Sequence, residues 1–206
     1  MNPLYADFYQ RDTLEVAPDL LGKYLVREIH GHRLIGKIVE TEAYKGPIDK
    51  GAHSYNYKRT PRTEVMFGPP GYAYVYLIYG MYYCLNVVTE AEGEPCAVLI
   101  RGVEPVAGQE HMAFLRYQKS LEEITSTQEK NLTNGPGKLC RAFHITKEQN
   151  GQPLWEKDFY IHSGEPLDTS QIIMSKRINI DYAEEAKDFL WRYSIKDNPY
   201  VSVKPK

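Results

Sequence analysis

Two glutamates and a tyrosine alternate in the run Val39-Glu40-Thr41-Glu42-Ala43-Tyr44, and these are the residues best placed to do chemistry. On an extended strand, residues two apart share a face, so Glu40, Glu42 and Tyr44 would point the same way. A carboxylate held away from bulk water is a candidate general base, and a neighbouring phenol can donate a hydrogen bond that fixes it. The commoner fate of such a face is exposure, with two solvated glutamates, and spacing alone leaves open which of the pair would act. His53 follows in the short loop from Gly46 to Ser54, close enough in the chain to join a site built on that strand. A lone histidine is more often a structural hydrogen-bonder than a catalyst, so its role depends on what it meets.

The second cluster is aromatic. In Tyr72-Ala73-Tyr74-Val75-Tyr76-Leu77-Ile78-Tyr79-Gly80, alternation puts Tyr72, Tyr74 and Tyr76 on one face and sets Val75 and Leu77 to pack on the other. Gly80 is where a hairpin should turn, which would leave Tyr79 exposed at the tip. A large ring in water needs a reason. A partner surface is one, insertion between stacked bases is another, and spacing does not separate them. The segment Asn134-Gly135-Pro136-Gly137-Lys138-Leu139 resembles a phosphate loop only superficially. It lacks the required spacing, and Leu139 stands where the hydroxyl ligand of Mg²⁺ belongs, which excludes nucleoside triphosphate binding. A helix beginning there could still meet one DNA phosphate. Nucleophile-elbow, zincin and zinc-deaminase motifs are all absent from the sequence.

Positioning these residues falls to a sheet. Lys23 to Glu28 and Leu34 to Tyr44 alternate apolar and polar residues around Gly31-His32, which predicts a hairpin. Tyr72 to Ile78, Tyr83 to Thr89 and Cys96 to Val103 are β-branched and aromatic and read as three more strands, with later ones near Asp158 to His162 and Phe189 to Ile195. An opening helix is capped by Asp12 and stopped by Gly22, with Pro18 expected to divide it into two short turns. Further helices are expected over Gly108 to Gln118 and from Pro136, the latter presenting Leu139 and Phe143. The stretch from Lys45 to Gly71 is too long for a plain connector and is a candidate functional loop. The pattern predicts an α+β fold over residues 1–206: one domain with a curved, mainly antiparallel β-sheet, a protruding hairpin and peripheral helices.

At 206 residues, with 42% hydrophobic and 25% charged side chains, the chain has the make-up of one ordinary soluble domain. Cys84, Cys96 and Cys140 form no CxxC pair, which argues against a disulfide framework or a zinc site and for a reducing compartment. No export signal is visible, and the uncharged run from Gly71 to Val88 reads as two strands with a turn, so a cytoplasmic protein without a membrane segment is expected. The net charge of −2 gives no global attraction to nucleic acid, so DNA binding would need a local basic face. Candidates are Lys58, Arg59 and Arg62, Lys138 with Arg141, and Lys176 with Arg177, each of which could equally be a solvated surface patch.

Taken together, these segments resemble the alkyladenine (3-methyladenine) DNA glycosylase family, in a bacterial form. The resemblance runs in order through Leu20-Leu-Gly-Lys23, Val39-Glu-Thr-Glu-Ala-Tyr44, Gly51-Ala-His53, Thr60-Pro-Arg62 and Met66-Phe67. It continues through Tyr74-Val-Tyr76-x-x-Tyr79-Gly-Met81, Asn86, Arg101, Asn134-Gly-Pro-Gly-Lys-Leu-Cys140, Arg177-Ile-Asn-Ile180 and Leu190-Trp-Arg-Tyr-Ser-Ile-Lys196. It therefore covers nearly the whole chain. What it implies is a monofunctional N-glycosyl hydrolase that flips alkylated or deaminated purines out of double-stranded DNA and leaves an abasic site. The substrates implied are 3-methyladenine and, with it, 7-methylguanine, hypoxanthine and ethenoadenine. The resemblance makes Glu42 the base that activates water, with Arg101 holding water and glutamate. Tyr44, His53 and Tyr76 become pocket residues around the flipped base, Asn86 a restriction on which purines fit, and Tyr79 the filler of the gap in the duplex. Lys58, Arg59, Arg62, Lys138 and Arg141 become candidates for phosphate contacts. Glu40 belongs to the motif but not to the catalytic pair. No cofactor or metal is implied, and a monomer is expected.

The chain departs from better-known members at Tyr55-Asn56-Tyr57, where two aromatics follow His53. Neutral lesions such as hypoxanthine need a proton on the leaving base, and no acid is evident. A non-catalytic nucleic-acid-binding module on a scaffold like the C-terminal domain of formyltransferases is the competing reading, by analogy of fold only.

Overall fold

The computed structural model describes residues 2–204. Two short helices open the chain, α1 (Ala6–Tyr9) and α2 (Thr13–Asp19), the second capped by Asp12, whose side chain accepts from the Leu14 amide at 2.8 Å. Pro18 does not divide α2. It sits in the last turn, where a missing N–H costs one hydrogen bond and the helix is about to end. Val16 and Ala17 are thereby buried against the sheet.

Strands β1 (Tyr24–Ile29) and β2 (His32–Tyr44) form the expected hairpin, turned at His30-Gly31, one residue earlier than the sequence pattern suggests. Both turn residues have positive φ (50° and 78°), as a tight two-residue hairpin turn requires. Next come β3 (Ala73–Ile78), β4 (Tyr82–Thr89) and β5 (Cys96–Ala107), the last running four residues beyond its expected end. The uncharged run from Gly71 to Val88 is thus a strand, a tight turn and a strand. Among the described residues, no helix is long and apolar enough to cross a membrane.

Helices α3 (Gln109–Tyr117), α4 (Ser126–Lys130) and α5 (Pro136–Ala142) follow, and β6 (Trp155–Glu156), β7 (Phe159–His162), β8 (Ile172–Ser175) and β9 (Arg192–Ile195) complete a nine-stranded sheet. The late strand expected from Phe189 begins only at Arg192, while α1, α4, β6 and β8 carried too little local pattern to be expected. All strand pairings are antiparallel, in the order β3-β4-β5-β2-β1-β7-β6, and β9 pairs with β2 and β8. The result is the α+β fold expected, a curled antiparallel sheet with helices packed around it. The main core joins Leu25, Leu34, Ile38, Leu85 and Ile100 of the sheet to Val16 of α2, Met112 of α3, Leu139 of α5 and Phe143, which caps that helix.

β2 forks. Its first half pairs with β1 through Lys37, and from Glu40 to Glu42 the same edge pairs with β9 instead. On the other edge it keeps β5 throughout, but the register slips between Ile38 and Thr41, so Val39 on β2 and Arg101 on β5 have no direct partner. A bulge of this kind bends a strand and re-aims a side chain. Here it turns Arg101 toward the glutamates.

Candidate active site

Thr41 and Ala43 face the core, where the Thr41 hydroxyl donates to the Ala17 carbonyl at 2.8 Å. Alternation then sends Glu40, Glu42 and Tyr44 to the opposite face of β2. The exposed face that is the common outcome for such a pattern does not form: both glutamates have no accessible surface. Sheet register shows what lies beside them. Tyr74 is opposite Asn86, Asn86 opposite Leu99, Leu99 opposite Glu42 and Glu42 opposite Arg192, a single row across five strands. Directly opposed residues share a face. Tyr74, Asn86 and Leu99 of this row line the floor of a cleft, and Glu42 and Arg192 continue the row beneath its lining.

The cleft has a volume of about 660 Å³, and its wall includes Tyr44, His53, Tyr76, Asn86, Arg101 and Tyr79. All the pocket residues expected from the sequence are therefore brought together. Behind the lining residues Tyr44, Arg101 and Ile178, Glu42 accepts from the Tyr44 hydroxyl at 2.8 Å and from the Ile178 amide at 2.8 Å, with Arg101 Nη1 at 3.4 Å. A buried carboxylate with three donors is paired rather than stranded. Burial works against the Arg101 charge, but the Glu42 and Glu40 carboxylates and Tyr44 outweigh it, so its proton is held more tightly than in water. Burial, then Glu42 and Tyr76, raise Tyr44 well above the ordinary phenol range, so it stays a neutral donor.

His53 stands in the wall between two partners. Its Nε2 lies 3.2 Å from Arg62 Nη2, and its Nδ1 lies 3.0 Å from the Tyr74 hydroxyl. A guanidinium only donates, so Nε2 must accept and the ring proton sits on Nδ1, directed at Tyr74. Burial, with the Arg62 charge beside it, lowers the imidazole to about 4. At neutral pH it is an uncharged wall, edge-on to Tyr76 with ring centres 4.7 Å apart. Arg62 also lies over the Tyr76 ring, 4.7 Å from its centre. Asn86 closes the floor with its amide nitrogen donating to the Tyr74 carbonyl at 3.0 Å.

Above the cleft the β3–β4 hairpin projects. Ile78 to Met81 form its turn, with positive φ at Tyr79 (52°) and Gly80 (68°). Glycine adopts that conformation freely, whereas tyrosine there carries strain. Tyr79 is 72% exposed, and Leu77, Met81 and Tyr82 are exposed around it. Leu77 was expected on the packed face with Val75. Val75 is buried, but the sheet beneath the hairpin ends before Leu77 and leaves it in solvent.

The basic candidates are spread unevenly. Lys58 and Arg141 are exposed, and Arg59 is exposed but engaged with Glu64. Lys138 donates to Asn131 and Asn134 side chains at 2.6 and 2.8 Å, and burial followed by Arg116 lowers its pKa. The third cluster fails as a surface patch. Arg177 is buried and salt-bridged to buried Asp49, and it donates to the Ala43 and Ala186 carbonyls at 2.9 and 3.1 Å. Its guanidinium also covers the Tyr44 ring at 4.7 Å. Arg177 thus seats the segment that brings the Ile178 amide to Glu42, and it fastens the loop that carries His53. The sequence offers Arg177 only as part of a basic surface patch and gives no sign of Asp49, Arg192 or Ser202, because each meets its partner from a distant part of the chain.

The geometry is thus a buried, hydrogen-bonded carboxylate directly behind the lining of an aromatic-walled cleft. Comparison with known proteins supplies the rest. The family model for methylpurine-DNA glycosylase matches residues 7–199. A protein of Alkaliphilus oremlandii named "Putative 3-methyladenine DNA glycosylase" is 59% identical over 197 residues, covering 96% of this chain and 97% of its own length. Proteins of the same name from Clostridium acetobutylicum and Desulfitobacterium hafniense are 55% and 54% identical, covering 98% and 99% of this chain and 98% and 100% of their own lengths. The chain belongs to the methylpurine-DNA glycosylase family, and its class is that of a DNA glycosylase acting in DNA repair.

Proposed function

We propose that the cleft receives a damaged purine turned out of duplex DNA, and that Glu42 activates the water that displaces it from the sugar. The observation that carries this reading is the setting of Glu42, held by Tyr44, the Ile178 amide and Arg101 with no accessible surface of its own. Glycosidic hydrolysis proceeds through an oxocarbenium-like sugar, which a fixed anion stabilises while it accepts the proton of the attacking water. Arg101, 3.4 Å away, helps to orient the carboxylate.

An alkylated purine carries positive charge and leaves readily. Electron-rich rings such as Tyr44 and Tyr76 favour such a cation, and the uncharged His53 does not repel it. Asn86 sits on the floor where an added exocyclic group would meet it, which restricts the purines accepted. Turning the nucleotide out costs a few kcal/mol, and stacking on an aromatic returns about 1–3 kcal/mol per base. Tyr79 fills the space left behind, which gives a reason for a strained, exposed tyrosine at a hairpin tip. Lys58, Arg62 and Arg141 are the basic residues best exposed to meet phosphates beside the cleft.

Base release from a panel of duplexes with 3-methyladenine, 7-methylguanine, hypoxanthine or ethenoadenine tests the proposal. Glu42→Gln should keep lesion-duplex affinity and lower single-turnover release by about 10²- to 10⁴-fold. Full release by Glu42→Gln would overturn the assignment and favour a binding module or another base.

A further inference from the structure

Glu40 is as deeply buried as Glu42, yet the proposed chemistry does not use it. Its Oε1 accepts from Arg101 Nε at 3.1 Å, from Arg192 Nη1 at 3.0 Å and from the Ser202 hydroxyl at 3.0 Å, and its Oε2 accepts from the Ser202 amide at 2.7 Å. Ser202 closes a ring, because its hydroxyl oxygen also accepts from Arg101 Nη2 at 3.2 Å. Every nitrogen of the Arg101 guanidinium is therefore assigned. Nε goes to Glu40, Nη2 to Ser202, and Nη1 is left to face Glu42 at 3.4 Å.

The segment that carries Ser202 is itself built onto the sheet. Asn198 donates to Glu104 at 2.9 Å, and the Val203 carbonyl accepts from Arg192 at 2.8 Å. The Tyr200 carbonyl lies so close over Gly102 that a Cβ there would meet it at 2.8 Å. Gly102 directly follows Arg101 in the bulge, so a side chain at this position would lift the segment away from the arginine. Asn134 bridges the same glycine, bringing the start of α5 against the bulge.

We infer that Glu40 and Ser202 are positioning residues for the proposed hydrolysis, acting through Arg101; the inference rests on Glu42 being the base. A guanidinium free to rotate would close onto Glu42 with two nitrogens and occupy the carboxylate oxygens that must meet water. Glu40 and Ser202 prevent this by holding two of its three nitrogens on the far side. The two carboxylates Glu40 and Glu42 also balance the two buried guanidiniums Arg101 and Arg192. Arg101 can therefore be held without being neutralised by the base it serves.

The test is single-turnover release of 3-methyladenine from a defined duplex, set beside binding to the same duplex carrying a tetrahydrofuran abasic analogue. Ser202→Ala keeps every charge and the backbone amide bond to Glu40. It should lower the release rate about 10-fold with abasic-duplex affinity and melting temperature within twofold and 2 °C of the parent. Ser202→Thr, which restores the hydroxyl, should recover the rate to within about threefold. Glu40→Gln should lose more, about 100-fold. If that variant does not fold, the serine pair still decides. A parental rate for Ser202→Ala overturns the inference, as does a loss that Ser202→Thr fails to repair. So does a loss matched by equal losses in affinity and melting temperature. Glu42→Gln run alongside separates the two ideas: parental release there sinks the assignment of the base, whereas its loss with a fully active Ser202→Ala sinks only the role of the clamp.

Discussion

The floor of the cleft and the tip of the β3–β4 hairpin are built on opposite principles. At and beneath the floor, Glu40, Glu42, Arg101 and Arg192 are almost wholly buried, and each carboxylate is paired with a guanidinium. At the tip, Leu77, Tyr79, Met81 and Tyr82 stand in solvent with large apolar surfaces. Charge that is buried must be paired before substrate arrives, because leaving it unpaired costs several kcal/mol. Apolar surface left exposed at one place is instead completed by what binds there. The floor is thus pre-organised, whereas on the proposed reading the tip is completed by DNA. Substitutions at the floor should damage the protein in the absence of DNA, and substitutions at the tip only in its presence.

The largest expected effect lies in the buried pair that holds the floor's edges together. Asp49 and Arg177 are both without accessible side-chain surface. Asp49→Ala leaves the Arg177 charge buried without its carboxylate, which should cost about 3–5 kcal/mol in denaturant unfolding. It should also release the Ile178 amide from Glu42. A loss below about 1 kcal/mol would mean that the region yields easily, and the contrast with the tip would weaken.

Next in size is the tip. Tyr79→Ala removes a ring that touches little in the free protein, so unfolding should be unchanged. Release from duplex substrate should fall about 10-fold, the scale of one lost stacking contact, while release from single-stranded substrate should hardly change. Equal losses on both substrates would remove the gap-filling role. Reduced stability of the free protein would show that the tip is packed rather than waiting.

How far these regions could be read from the sequence follows the same division. The period of two in Val39 to Tyr44 and in Tyr72 to Ile78 is local, so the shared face of Glu40, Glu42 and Tyr44 and the exposed Tyr79 were both legible. The partners that make the glutamates a site were not. Asp49 and Arg177 are 128 residues apart, and Glu40 and Ser202 are 162 apart. No periodicity links such positions. Arg177 beside Lys176 looks locally like a basic surface patch, and only tertiary packing turns it inward. The Arg101 bulge was equally hidden, because register slips depend on both strands at once. Leu77 shows the converse: its alternation is correct, but alternation does not reveal where the packed layer beneath a strand ends.

The last expected effect concerns the cleft wall, midway between the two regions, and it is read as a slope with pH rather than as a loss. His53 is half-buried and accepts from Arg62, and burial with that neighbouring charge lowers it from 6.5 to about 4. The other ring neighbours are Tyr74 and Tyr76, whose phenols are raised by burial above all and so remain neutral in this range. In the unfolded chain His53 takes up its proton near pH 6.5, but in the native protein only near 4. Between those values the unfolded state holds more protons, so stability falls as the pH drops through that window and the contribution is flat above it. His53→Gln should remove this component and make the unfolding free energy less steep between pH 6.5 and 4. If the slope persisted unchanged in the variant, the histidine would already be exchanging its proton with solvent. The wall would then belong with the open tip rather than with the pre-organised floor.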